Sequence, residues 1–169
     1  MVDATLKQLD DWYNEPNSQS GDRPLLLSKL ALLELCGWIE GEFDRLILKA
    51  EDGRVRNRKW LKKDVVEKTY GFNYSNHLRK MFSYVFGELF VQRIEDEMET
   101  QFPGELDRLK ITLQELWIRR CNFAHADFAA NVAAQRVFDA PSWSRGQLAI
   151  VGQLITKFDI AMTSVLANI

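Results

Sequence analysis

Residues 24–47 read PLLLSKLALLELCGWIEGEFDRLI, and Leu26, Leu27, Leu30, Leu33, Leu35, Trp38, Ile39, Phe43, Leu46 and Ile47 recur in that stretch at steps of three and four. This period belongs to one face of an α-helix, whereas a half-buried strand alternates every second residue. The run predicts a long core helix that starts at Pro24 and ends near the Asp52-Gly53 turn signal.

Upstream of it, residues 3–13 predict a short helix, and residues 14–22, rich in Asn, Ser, Pro and Gly, read as a connecting loop. Downstream, residues 64–71 predict a short accessory helix. Ser75 is then the expected N-cap of a second core helix carrying Leu78, Met81, Phe82, Val85, Phe86, Leu89, Phe90 and Ile94. Pro103 suits the first position of a third helix, whose positive end Glu105 and Asp107 favour; its stripe is Leu106, Leu109, Leu113, Leu116 and Trp117. After a loop over residues 140–145, Leu148, Ile150, Val151, Leu154, Ile155, Phe158, Ile160 and Val165 mark a closing helix. Four principal helices with short accessories predict an all-α, four-helix-bundle-like fold in a single domain over residues 1–169. Trp38, Trp117, Trp143 and Cys121 are expected in its core.

Composition narrows the function classes. The 169 residues are 46% hydrophobic, enough for one sizeable core. The net charge of -2 excludes a chain that coats nucleic acid by bulk charge but leaves room for a local basic patch. Cys36 and Cys121 have no metal-type spacing and read as reduced thiols of a cytoplasmic protein, with no metal and no cofactor expected. Asp3, Asp10, Asp11 and Glu15 argue against a secretion signal, and Lys29 and Glu34 interrupt the longest apolar run, so no membrane span is expected. The sequence contains no Gly-x-Ser-x-Gly turn, phosphate-cradling Gly-rich loop or Cys-x-x-Cys pair. Glu95, Asp96, Glu97 and Glu99 crowd successive helical positions that point in different directions, as a solvated acidic face does.

Chemistry-bearing residues concentrate in Trp117-Ile118-Arg119-Arg120-Cys121-Asn122-Phe123-Ala124-His125-Ala126-Asp127, near the end of the third helix. On an ideal helix Arg119 and Asn122 share a face, as do Asn122 and His125, while Arg120 and His125 lie about 140° apart. A histidine that merely caps helix carbonyls is the plain structural alternative.

An Arg, four to six intervening residues and a His on a late helix of an all-α bundle resembles the signature of the HEPN superfamily, above all its bacterial toxin and defence branches. The Leu-rich first helix, over residues 36–44, has a similar look. Arg120 to His125 fits with four intervening residues and Arg119 to His125 with five; the place after Arg120, usually polar in such motifs, holds Cys121, with Asn122 next. The resemblance implies a metal-independent endoribonuclease, a homodimer in which two copies of the motif meet so that one site draws on both subunits. It implies His125 as general base toward the ribose 2′-OH or acid toward the leaving oxygen, and Arg120 as the phosphate-holding fork. Asn122 would orient His125 or a phosphate oxygen, and Arg119 would add a second phosphate contact. Such a toxin or antiviral-defence effector would be restrained by a neutralising antitoxin or regulatory protein. The alternatives are a catalytically inactive helical module of the same shape that binds RNA, a nucleotide or a protein partner, and a purely structural dimerisation subunit.

A second candidate is the basic stretch Arg54, Arg56, Arg58, Lys59, Lys62 and Lys63 around Trp60, an RNA-binding surface in which cations would track phosphates and the indole would stack a base. The alternative is a solvated connector with Trp60 tucked into the core. His77, Arg79 and Lys80 read as surface residues.

Overall fold

The computed structural model describes residues 1–18, 20–51, 57–124 and 139–168. Over these the chain is all-α, with seven α-helices and no strand. They are α1 (Val2–Tyr13), α2 (Arg23–Glu51), α3 (Arg58–Trp60), α4 (Arg79–Phe86), α5 (Glu88–Gln101), α6 (Glu105–Ala124) and α7 (Pro141–Ala167). A 3-10 turn covers Pro16–Ser18, and two wider π-turns, Leu61–Val66 and Tyr74–Leu78, follow α3 and lead into α4. The expected short helix within residues 64–71 is in fact the continuation of α3 through the first of these π-turns.

The chain forms two compact units, Met1–Trp38 with Leu116–Ile150, and Ile39–Glu115 with Val151–Ile169. In the first, Leu6 and Leu9 of α1 pack with Leu27 and Ala31 of α2, and Val2, Tyr13 and Leu148 flank them. Each such side chain removed from water contributes roughly 1.5–3 kcal/mol. Arg145 of α7 grips both oxygens of Asp3, at 2.7 and 3.3 Å, tying the start of α7 to α1. The α2 stripe differs from the expected one here: Leu26 and Leu30 are 52% and 43% exposed, while Leu27, Ala31, Leu32 and Leu35 are buried. Leu26 and Leu30 sit about 100° around the helix from Leu27 and Ala31, so one face of a Leu-rich helix cannot hold both sets.

In the second unit, Ile39, Phe43, Leu46, Ile47 and Ala50 of α2 are buried, as are Val151, Leu154, Ile155, Phe158, Ala161 and Met162 of α7. Phe158 meets Tyr74 and Phe82 edge to face, with centroids 6.3 and 6.0 Å apart, a geometry that the ring quadrupoles favour. Phe82, Phe86 and Phe90 continue the cluster from α4 into α5. At its rim Asp159 of α7 receives Arg45 at 3.1 Å and Lys49 at 2.5 Å, both from α2.

The single helix expected from residue 75 onward is broken at Gly87, whose φ of 87° and ψ of 159° are essentially closed to residues with a Cβ. The break resets the helical phase, which is why Leu89, placed on the core stripe by its spacing, is 74% exposed. Arg79 spans the corner, pairing with Glu88 and, at 3.0 Å, with Glu95. The cap is Asn73 rather than Ser75: its side chain accepts from the Asn76 N–H at 2.9 Å. Pro103 also lies outside the third helix, which starts at Glu105 after Gly104 turns the chain at φ 77° and donates its N–H to Glu99. Pro141, by contrast, opens α7, so most of the loop expected over residues 140–145 is helix.

By length and composition alone, α7 is long and apolar enough to cross a membrane, which the sequence pattern did not lead us to expect of any segment. The two charges in its second half, Lys157 and Asp159, pair with Glu105 and with Arg45 and Lys49.

Gly87→Ala should destabilise the protein by about 1–3 kcal/mol through backbone strain alone, since nothing lies within 4 Å of the added methyl. Urea unfolding reads this, and an unchanged midpoint would mean that the corner tolerates an ordinary residue.

Candidate functional site

The last turns of α6 carry the arginine pair. Arg119 is pinned: its guanidinium pairs with the Asp139 carboxylate and lies over the Trp143 ring, 4.4 Å from its centroid. Both partners flank the start of α7, where an acidic residue just ahead of the first turn is also favoured by the helix dipole. Arg120, one residue on, is half-buried and stacks over Trp117 at 5.2 Å. Asn122 is exposed. His125 and Asp127 lie outside the described residues. Trp38, Trp117 and Trp143 are half-buried rather than core, because arginines cover two of the rings where apolar side chains were expected. Cys121, also expected inside, is a half-buried free thiol.

Asp139 and Trp143 were missed as partners of Arg119. The legible signal was an acidic residue two places before the proline that opens a helix.

In the basic stretch, Arg54 and Arg56 lie outside the described residues. Arg58 donates to Glu51 at 2.9 Å, and that carboxylate is fully buried. Its guanidinium therefore neutralises a charge that burial would otherwise make costly. Asn57 caps the segment through the Trp60 N–H. Lys59, Lys62 and Lys63 are exposed and, among the described residues, in no ion pair. Trp60 is neither tucked into the core nor alone; it is half-buried, with its ring 5.8 Å from that of Tyr84 on α4.

Of the three residues read as surface, only Lys80 is plainly so. His77 Nδ1 accepts the Asn73 N–H at 3.1 Å and closes the π-turn, and Arg79 is the strut of the Gly87 corner. The acidic run is likewise only partly solvated: Glu95 accepts the Tyr74 hydroxyl at 2.8 Å, and Glu97 accepts Ser164 at 2.8 Å. Burial and then the Glu95 charge push the Tyr74 hydroxyl well above the ordinary tyrosine range, so it stays a donor. Among the described residues no three His, Cys, Asp or Glu side chains gather as a metal site.

A carboxyl in the second unit is also strongly perturbed. Burial, and secondly the Glu40 carboxylate one helical turn away, raise Asp44 to about 6. Both line a cavity of about 180 Å³ together with Glu67, Tyr70 and Met81.

A raised carboxyl pKa penalises the folded state where the group is charged. Asp44→Asn should therefore raise Tm at pH 7 and above, and the gain should shrink as pH falls through 6 toward the ordinary carboxylate range near 4. A gap between the two melting curves that stays constant with pH would refute this. Removing the pinned arginine is a second test. Arg119→Ala and Asp139→Ala should each cost about 1 kcal/mol in urea unfolding, and the double variant should cost less than their sum. Full additivity would show the two side chains to be independent.

No family model matches the chain, and no curated protein or solved structure matches it either.

Proposed function

We propose that this chain is a metal-independent HEPN-type endoribonuclease, acting in the cytoplasm as a homodimer that brings two copies of the Arg120–His125 motif to one phosphodiester. The observation that carries this reading is that Arg120, five residues before His125 in the sequence, lies on the final turns of α6 against Trp117 in an all-α chain. Arg119 beside it is held by Asp139 and Trp143 and would fix the helix end. The all-α architecture is what the resemblance requires.

In this mechanism a ribose 2′-OH gives its proton to the imidazole of His125. The 2′ oxygen then bonds to phosphorus, the bond from phosphorus to the 5′ oxygen breaks, and the leaving oxygen takes a proton from an imidazolium. A dimer supplies two imidazoles, so one can serve as base and the other as acid. Arg120 offsets the charge that builds on the non-bridging oxygens, a task that suits a permanently charged planar fork. Asn122, exposed on α6 and three residues before His125 in the sequence, would orient either the ring or the phosphate. A neutralising antitoxin or regulatory protein would act by covering this motif.

A non-catalytic RNA-binding module is the second reading, favoured by Cys121 in the position after Arg120.

The deciding experiment is RNA cleavage in excess EDTA. Wild type should yield 2′,3′-cyclic phosphate ends and leave a 2′-O-methyl RNA intact. His125→Ala should cut about 100- to 10,000-fold more slowly, with the dimer unchanged by sedimentation. Equal cleavage by the two proteins, or none by either, would end the catalytic reading.

A further inference from the structure

The second unit carries an open groove of about 540 Å³ between the π-turn after α3 and the face of α4, outside the Arg120 motif. Two of its walls are aromatic and unusually bare: Tyr70 is 77% exposed and Tyr84 is 69% exposed. Neither ring gains much from burial at these values, so core packing does not account for them. Trp60 leans on Tyr84 and adds a third ring beside the groove. Lys68, His77 and Lys80 also line the groove, with Asp64 and the buried Met81.

Charge complementarity says what fits there. From residue 58 to residue 84 the chain has seven Lys and Arg against two Asp and Glu, in a protein whose net charge is -2. The arginines of this stretch are taken by Glu51, Glu88 and Glu95, and Lys68 pairs with Asp64 at 2.6 Å. Among the described residues Lys59, Lys62, Lys63 and Lys80 are in no ion pair and are exposed. Exposed rings interleaved with such ammonium groups make a surface for unpaired bases on a phosphate backbone: each ring offers a stacking face to any base, and each lysine meets a phosphate. A duplex, whose bases are already stacked, cannot use the rings.

We infer that this groove binds an unpaired stretch of polynucleotide, with bases stacked on Tyr84 and Tyr70 and phosphates met by Lys80 and the lysines of the α3 segment. This stands apart from the proposed cleavage, because it concerns binding alone and would hold in a chain that cuts nothing.

The test is fluorescence anisotropy of the full chain with a labelled 12-nucleotide 2′-O-methyl oligouridylate, which 2′-OH chemistry cannot cleave. The same sequence as DNA, and a 2′-O-methyl duplex, serve as companion probes. The single strands should bind and the duplex should bind more weakly; a difference between the RNA-like and DNA strands tells which sugar the groove prefers. Tyr84→Ala and Tyr70→Ala should each weaken binding roughly tenfold. The corresponding Phe variants, which keep the ring, should restore it, and this separates stacking from damage to the fold. Lys80→Glu should weaken binding and flatten its salt dependence, by about 0.7 in log–log slope for each phosphate no longer neutralised. Unaltered affinity in the Tyr70→Ala, Tyr84→Ala double variant, duplex binding as tight as single-strand binding, or no binding by wild type would each overturn the assignment.

Discussion

The second unit depends on Phe158. Its ring meets Tyr74 and Phe82 edge to face, and so fastens α7 to both the π-turn and the helix that follows it. Tyr74 then carries the effect outward, because its ring lies in the apolar cluster while its hydroxyl donates to Glu95. Glu95 in turn holds Arg79, and Arg79 holds Glu88 beyond the break at Gly87. One aromatic contact is thus continuous with the ionic strut that sets the angle between α4 and α5. With the inner face of α4 committed in this way, its other face is left to present Lys80 and Tyr84.

Much of this was legible in the sequence, and the part that was not has a common physical origin. The period of α2 and α7 is a local property, set by 3.6 residues per turn, and it survives in the structure as buried stripes. Phase is less local. Leu26 and Leu30 satisfy a three-and-four spacing as well as Leu27 and Ala31 do, and only the packing partner decides which pair is buried. Gly87 is similar: an isolated glycine inside a helical pattern costs little, and nothing in its neighbours announces a positive φ. Once that break exists, every apolar position beyond it shifts, and Leu89 is the visible casualty.

The candidate sites divide along the same line. The sequence places Arg119, Arg120 and Asn122 together at the end of α6 because they are neighbours in the chain. It could not show how Arg119 is held, since its partner, Asp139, is 20 residues away. Arg58 looked like one cation in a basic run, yet its carboxylate, Glu51, lies on another helix and is wholly buried. Tyr70 and Tyr84 passed unnoticed for the opposite reason: an aromatic residue in a mixed segment is ordinarily core, and only coordinates reveal two that are not.

These outcomes reflect how the chain sorts its cations. Arg23, Arg45, Arg58, Arg79, Arg108, Arg119 and Arg145 each reach a carboxylate, and several of those carboxylates are half-buried or buried. A planar fork with five donors is well suited to that work, and it loses less hydration than an ammonium would. Lysine, compact and strongly hydrated, is the better cation to leave in water. Many of the acidic residues are thereby engaged in holding arginines, and Lys59, Lys62, Lys63 and Lys80, in no ion pair among the described residues, are left as a local positive surface on a chain whose total charge is slightly negative. A basic surface built by subtraction in this way leaves no trace in the net charge, and so composition could exclude bulk electrostatic binding while remaining silent about the groove.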